Sequence, residues 1–179
     1  MNRVLPASLL AAILAGCAMK TEKFVAYTYA PARFTAEVPS DWTVIPNPAG
    51  DTPGTQFLSP KPSGARAVRP YISVDFYTTD NARYASLAAC LVEGTREQPG
   101  RSHGPIAAIQ VGSLTGQEYT LIRPLPQTPQ SAPKGRLSER TVLLSVEDGF
   151  YELCFTAPEE STAAHAEAFN RFLETFRRQ

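Results

Sequence analysis

The stretch from Arg140 to Pro158, "RTVLLSVED" followed by "GFYELCFTAP", constrains this chain more than any other. Two runs rich in β-branched, aromatic and aliphatic residues are separated only by Asp148-Gly149, a pair that reads as a hairpin turn. A tight turn between successive strands makes them antiparallel. The same grammar recurs where Gly112-Ser113 divides "IAAIQV" from "TGQEYTLIRP". Upstream, "YISVDFYT" alternates strictly, with Ile72, Val74 and Phe76 on one face and Ser73 and Asp75 on the other. Further short β-rich runs fall at Phe34 to Val38, at Trp42 to Ile45 and in "TQFLSP", with Pro39-Ser40-Asp41 turning the first into the second.

Two segments switch to helical period. In "NARYASLAACLVEGTREQ", Tyr84, Leu87, Ala88 and Leu91 share a face, Cys90 lies on its flank, and Gly94 weakens the end. In "EESTAAHAEAFNRFLETFRRQ", Phe169, Phe172, Leu173 and Phe176 form a second stripe. Glu159 and Glu160 at its start and Arg177 and Arg178 at its end complement the helix dipole. Three rings on one stripe read as core, so this helix docks on the sheet. Pro- and Gly-rich loops occupy 46–54, 60–70 and 124–136, and four prolines in ten residues favour extended backbone in the last. The expected class is α+β, a central antiparallel sheet with helices on its faces.

With 17 basic and 17 acidic side chains the chain lacks the basic excess of a nucleic-acid binder. At the N-terminus, Val4 to Ala15 is apolar apart from Ser8, too short to span a bilayer, which takes about 20 residues. It suits the apolar core of a signal peptide. The run ends Leu14-Ala15-Gly16-Cys17 and resembles the lipobox of bacterial lipoproteins. That resemblance implies cleavage between Gly16 and Cys17, acylation of Cys17, and anchoring by several acyl chains, where one is marginal. The chain then divides into a signal peptide at 1–16, a lipidated tether at 17–23 and one domain at 24–179. Ala18 resembles cargo sorted to the outer membrane, facing the periplasm.

Four other motifs, "RFTAEVPSDW", "QFLSP", "GFYELCFTAPEE" and "FNRFLETF", resemble the opening and closing patterns of PsbP-like domains. That superfamily includes a photosystem accessory protein, a small Ran-binding nuclear import factor and many bacterial lipoproteins. The resemblance implies an α/β/α sandwich that works by binding and assembly, with no catalytic residues to carry over.

A direct search for chemistry agrees. Gly112-Ser113-Leu114-Thr115-Gly116 puts serine at the wrong place for a nucleophile elbow, and neither a phosphate loop nor His-Glu-x-x-His occurs. His103 reads as a loop residue and His165 as a border of the core. Neither has metal-ligand spacing to a partner, so no metal or cofactor is expected. Cys90 and Cys154 are either a structural disulfide closing a long loop or two buried apolar thiols. Lys61, Arg66 and Arg69, and then Arg123, Lys134, Arg136 and Arg140, cluster in or beside the loops. They read as a surface for an anionic partner or as ordinary solvated charge. Trp42 and Tyr71 line a groove or pack in the core. The sequence therefore reads as a lipid-anchored, non-catalytic envelope accessory that binds another envelope component. The alternatives are a small periplasmic hydrolase and a carrier of a small apolar ligand.

Overall fold

The computed structural model describes residues 23–48, 52–61, 68–125 and 135–179. The lipobox residues Gly16 and Cys17, and the loop cations Arg66 and Lys134, lie outside them.

The described residues form eleven strands and two α-helices, in the order β1 (Phe24–Tyr29), β2 (Phe34–Pro39), β3 (Thr43–Asn47), β4 (Gly54–Leu58), β5 (Tyr71–Thr78), α1 (Leu87–Gly94), β6 (Ser102–His103), β7 (Ala107–Val111), β8 (Leu114–Pro124), β9 (Arg136–Val146), β10 (Gly149–Pro158), α2 (Thr162–Thr175) and β11 (Arg177–Arg178). All pairings are antiparallel. The larger sheet has eight strands in the order β3-β4-β5-β10-β9-β8-β6, with β7 also on β8; the smaller is β1-β2-β11. Hairpins at Glu147-Asp148 and Gly112-Ser113 join β9 to β10 and β7 to β8. Gly112 takes the positive φ of 59° that its turn needs.

The period-2 residues of the central strands divide the core in two. Ile72, Val74, Phe76, Val142, Leu144, Tyr151, Leu153 and Phe155 point to the inner face and meet Phe34, Phe169, Phe172 and Phe176. Phe34 stacks on Phe176 at 5.5 Å, and Phe155 on Phe169 at 5.7 Å. The small sheet and α2 thus share one layer against the inner face. On the outer face Tyr77, Tyr119, Leu121, Leu143 and Phe150 form a smaller cluster under α1. The α/β/α arrangement expected from the sequence is the one observed.

Several details differ from the expectation. Phe24–Tyr29, not read as a strand, pairs with β2 along its whole length. Arg177 and Arg178 form β11 on β2, beyond the end of α2. Arg177 still donates from Nη1 to the Glu174 carbonyl at 2.9 Å, so it serves the helix end by a hydrogen bond. The mid-chain helix begins only after Ser86, whose Oγ accepts from the Ala89 amide at 3.2 Å. Tyr84 precedes it, in a turn built by Asn81: the amide Nδ2 donates to the Thr78 and Tyr84 carbonyls, and Oδ1 accepts from the Arg83 and Tyr84 amides. Ala88, read as inward, is exposed, and Cys90 is the buried residue of α1. His103 lies in β6, not in a loop. Trp42 is core, its ring edge-on to His165 at 6.2 Å.

One turn ties the two sheets together. Arg33 has a left-handed backbone, φ 50°, sparsely populated by non-glycine residues. The Tyr151 hydroxyl donates to the adjacent Ala32 carbonyl at 2.9 Å, and the Arg33 carbonyl accepts from the Gln179 amide at 2.9 Å. The Asp148 carboxylate, at the β9–β10 hairpin, binds both Arg33 and Arg178.

Candidate functional site

Helix α1 is too short to cover the outer face. Leu87, Cys90 and Leu91 project down onto the Tyr77, Tyr119, Leu143 and Phe150 cluster. The helix ends where Gly94 passes the Tyr119 ring: a Cβ there would collide with the tyrosine hydroxyl, which explains a glycine inside the last turn. The opposite side of the helix, Ala88, Ala89 and Val92, faces outward without covering. Val92 is 64% exposed, the highest among the exposed large hydrophobics of the described residues.

Three open clefts border this helix. One of about 580 Å³ lies between its start and the β7–β8 and β9–β10 hairpins, and includes Tyr84, Ala88, Gln117 and Phe150. Another of about 750 Å³ runs along its outward face, with Ala88, Ala89 and Val92 between Arg83 and Arg96. The third, about 570 Å³, sits beyond its end, between Arg96 and His103.

Beside α1 the outer face is polar. Asp75 and Glu152 are direct cross-strand partners. Like charges so placed oppose each other. Burial, and then the neighbouring Asp75 charge, raise the Glu152 carboxyl above the usual range; burial raises Asp75, and Arg83 partly offsets it. Tyr77 donates its hydroxyl to Glu152 Oε2 at 3.1 Å, and Arg83 Nη1 lies 3.4 Å from that hydroxyl. Arg83 also covers the Tyr84 ring at 5.0 Å. A chain of Arg83, Tyr77, Glu152 and Asp75 therefore runs from the lip of the helix cleft into the sheet.

Next along the same face lies Cys154, with Sγ 3.6 Å from the hydroxyls of Thr141 and Thr156. Cys90 and Cys154 are both free thiols, and burial pushes each up to about 12. A thiol held protonated is a poor nucleophile.

Among the described residues, the loop cations are engaged separately. Arg123 pairs with Glu139 at 2.7 Å on the outer face, whereas Arg140 points inward to Glu118 at 2.9 Å and to Asn170 at 2.7 Å, its guanidinium over Phe169. Arg136 lies 3.8 Å from Glu159. Arg69 is spent on backbone, Nε donating to the Ser59 carbonyl at 2.6 Å. Lys61 is exposed. Tyr71 is half-buried on the outer face, at the end of the sheet away from α1. Among the described residues no group of three or more His, Cys, Asp or Glu side chains is placed to hold a metal ion, and no helix is long and apolar enough to cross a membrane.

Sequence reasoning had placed Asp75 on the polar face but missed Glu152, Tyr77 and Arg83 as its neighbours. Tyr77 shares the Asp75 face at period 2 and Arg83 follows in the next turn, so only Glu152 depends on the β5–β10 register, across more than seventy residues of chain.

No protein-family model matches the chain, and no curated protein matches it. Solved structures do. LpqN of Mycobacterium tuberculosis, involved in cell envelope biogenesis, aligns over 87% of this chain and 90% of its own at 15% identity and TM-score 0.55. The Ran-binding protein Mog1p of Saccharomyces cerevisiae aligns over 88% and 96% at 12% identity and TM-score 0.54. PA94 of Pseudomonas aeruginosa, a protein of unknown function, aligns over 87% and 97% at 15% identity and TM-score 0.55. At such identities the likeness is one of fold. The chain has the α+β fold of Mog1p, antiparallel sheets with two helices packed on them.

Proposed function

We propose that this chain is a lipid-anchored, non-catalytic accessory of the bacterial envelope that receives a protein partner on the outer face around α1. The observation that carries the reading is the uncovered apolar side of α1, where Ala88, Ala89 and Val92 lie in a cleft between Arg83 and Arg96. Exposed apolar surface rimmed by charge marks interaction sites. The flanking guanidiniums favour a partner segment that is apolar along its middle and acidic at its edges.

Position argues for a protein and against the bilayer as the occupant. A tether of residues 17–23 reaches at most about 25 Å. It enters at β1, in the layer shared with α2, whereas α1 lies on the other side of the large sheet. An anchor on Cys17 therefore leaves α1 facing away from the lipid. The lipobox supports the anchor, and the envelope role of LpqN and the Ran binding of Mog1p support binding by this fold. Two protonated thiols, and a His165 packed against Trp42, favour binding over the hydrolase reading. Clefts that are open and not enclosed weigh against an apolar-ligand carrier.

The anchor is tested by feeding labelled palmitate or glycerol to cells making the wild type and Cys17→Ser. Label in the wild type alone, with the wild type in the outer-membrane fraction, is the expected result. An unlabelled wild type contradicts the anchor, and label in both proteins contradicts Cys17 as its site.

A further inference from the structure

The cleft beyond the end of α1 shares Arg96 with the partner reading but adds Arg101, Ser102 and His103, which that reading does not use. After the helix, Gln98-Pro99-Gly100-Arg101 reverses the chain, the Arg101 amide donating to the Gln98 carbonyl at 3.0 Å with Gly100 at φ 78°. Proline second and a positive-φ glycine third are what a type II turn demands. The reversal brings Arg101 back beside Arg96, and β6 then sets Ser102 and His103 against Ile122 and Leu121 of β8. The result is an opening of about 570 Å³ with two guanidiniums, an imidazole and a hydroxyl around it and Leu121 in its lining. Glu97 is the acid in that lining.

Arg101 is held. Its Nη2 donates to the Gly94 carbonyl at 2.7 Å, while its Nε–H is buried without an acceptor. A desolvated guanidinium donor left unmade is costly. Arg96 pairs with Glu93 at 2.6 Å, but both side chains are largely exposed, and such pairs are weak enough to exchange for a better acceptor. His103 has Nδ1 2.8 Å from the Gly104 carbonyl, which sets Nδ1 as the donor and leaves Nε2 outside that bond.

We propose that this cleft is a binding site for an oxyanion group, a carboxylate or a phosphate, held by Arg101 and Arg96 with His103 and Ser102 beside it. Guanidinium forks match both groups. Leu121 and Pro99 give the body that carries the anion an apolar surface to lie on.

The test is a titration of the full chain with inorganic phosphate and, in a second arm, with acetate, read by amide NMR against sodium chloride of equal ionic strength. Saturable shifts confined to residues 94–104 and 121 are expected in at least one arm. Affinity should fall about tenfold or more in Arg101→Gln and in Arg96→Gln, the scale of one charge-assisted hydrogen bond, and stay unchanged in Arg136→Gln. Stronger phosphate binding identifies a phosphoryl ligand, and stronger acetate binding a carboxylate. If Arg101→Gln does not fold, Arg96→Gln and His103→Ala, both at exposed positions, carry the test. No saturable response in either arm, a response that chloride reproduces, or one that these variants leave intact overturns the proposal.

Discussion

On its inner face the large sheet meets a continuous stack of rings: Phe34, Phe169, Phe172 and Phe176 are all fully buried against Phe57, Tyr151 and Phe155. On its outer face one helix of eight residues covers part of the surface. What is left alternates between buried rings and carboxyls, tyrosines and thiols whose protons are held more tightly than usual. The inner face is a solved packing problem, built from apolar groups that need only fill space. The outer face keeps polar groups half-desolvated and an apolar helix side uncovered, arrangements that cost stability and persist where surface is used.

Four measurements bear on this difference between the faces. The largest effect is expected inside: Phe172→Ala removes a ring that touches Phe34, Phe57, Phe169 and Phe176, and should cost about 3–5 kcal/mol in denaturant unfolding. Leu91→Ala, on the sheet-facing side of α1 and only half-buried, should cost about 1–2 kcal/mol. Equal losses would mean that the outer cluster is as essential to the fold as the inner one.

The third concerns pH. Glu152 and Asp75 keep their protons to higher pH when folded than when unfolded, so the folded chain holds more protons across that range and stability falls as pH rises. Their contribution is full below the ordinary carboxylate range, about pH 4, and is lost as pH climbs through the raised one. Glu152→Gln keeps the shape and an oxygen for the Tyr77 hydroxyl. It should raise Tm at pH 7, leave it nearly unchanged at pH 3, and flatten the pH profile. A lower Tm at pH 7 would show that the ionised pair stabilises the fold.

The smallest effect is chemical. At pH 8 Cys90 and Cys154 should resist iodoacetamide in the folded protein and react fully in denaturant without reductant. Failure to react after unfolding would show that the two are bridged.

Much of the inner face was legible from sequence. Period-2 strands found Ile72, Val74 and Phe76, and period 3.6 found Phe169, Phe172 and Phe176, because a core face imposes its repeat on the residues themselves. The outer site was not. Asp75 faces Glu152, Arg123 faces Glu139 and Arg140 faces Glu118 through pairings between strands, and no local pattern encodes which acid a register will set beside which cation. The α1 stripe was misjudged by part of a turn for a similar reason. Its apolar residues surround the helix, so periodicity alone could not say that Cys90 faces in and Ala88 out. β11 is two residues long, and its arginines read equally well as helix-end charges.

In the proposed role, the face bearing α1 meets a partner while the layer bearing α2 faces the anchor. The most direct measurement is photo-crosslinking in intact cells, with the crosslinker placed at Val92 in one strain and at Glu174 on α2 in another, each with Cys17 intact and with Cys17→Ser. Both positions are exposed, so substitution there should change stability by no more than about 0.5 kcal/mol. One recurrent protein adduct from Val92, absent from Glu174 and dependent on Cys17, is the result predicted. Adducts of the same protein from both positions, or none from Val92, would contradict the account.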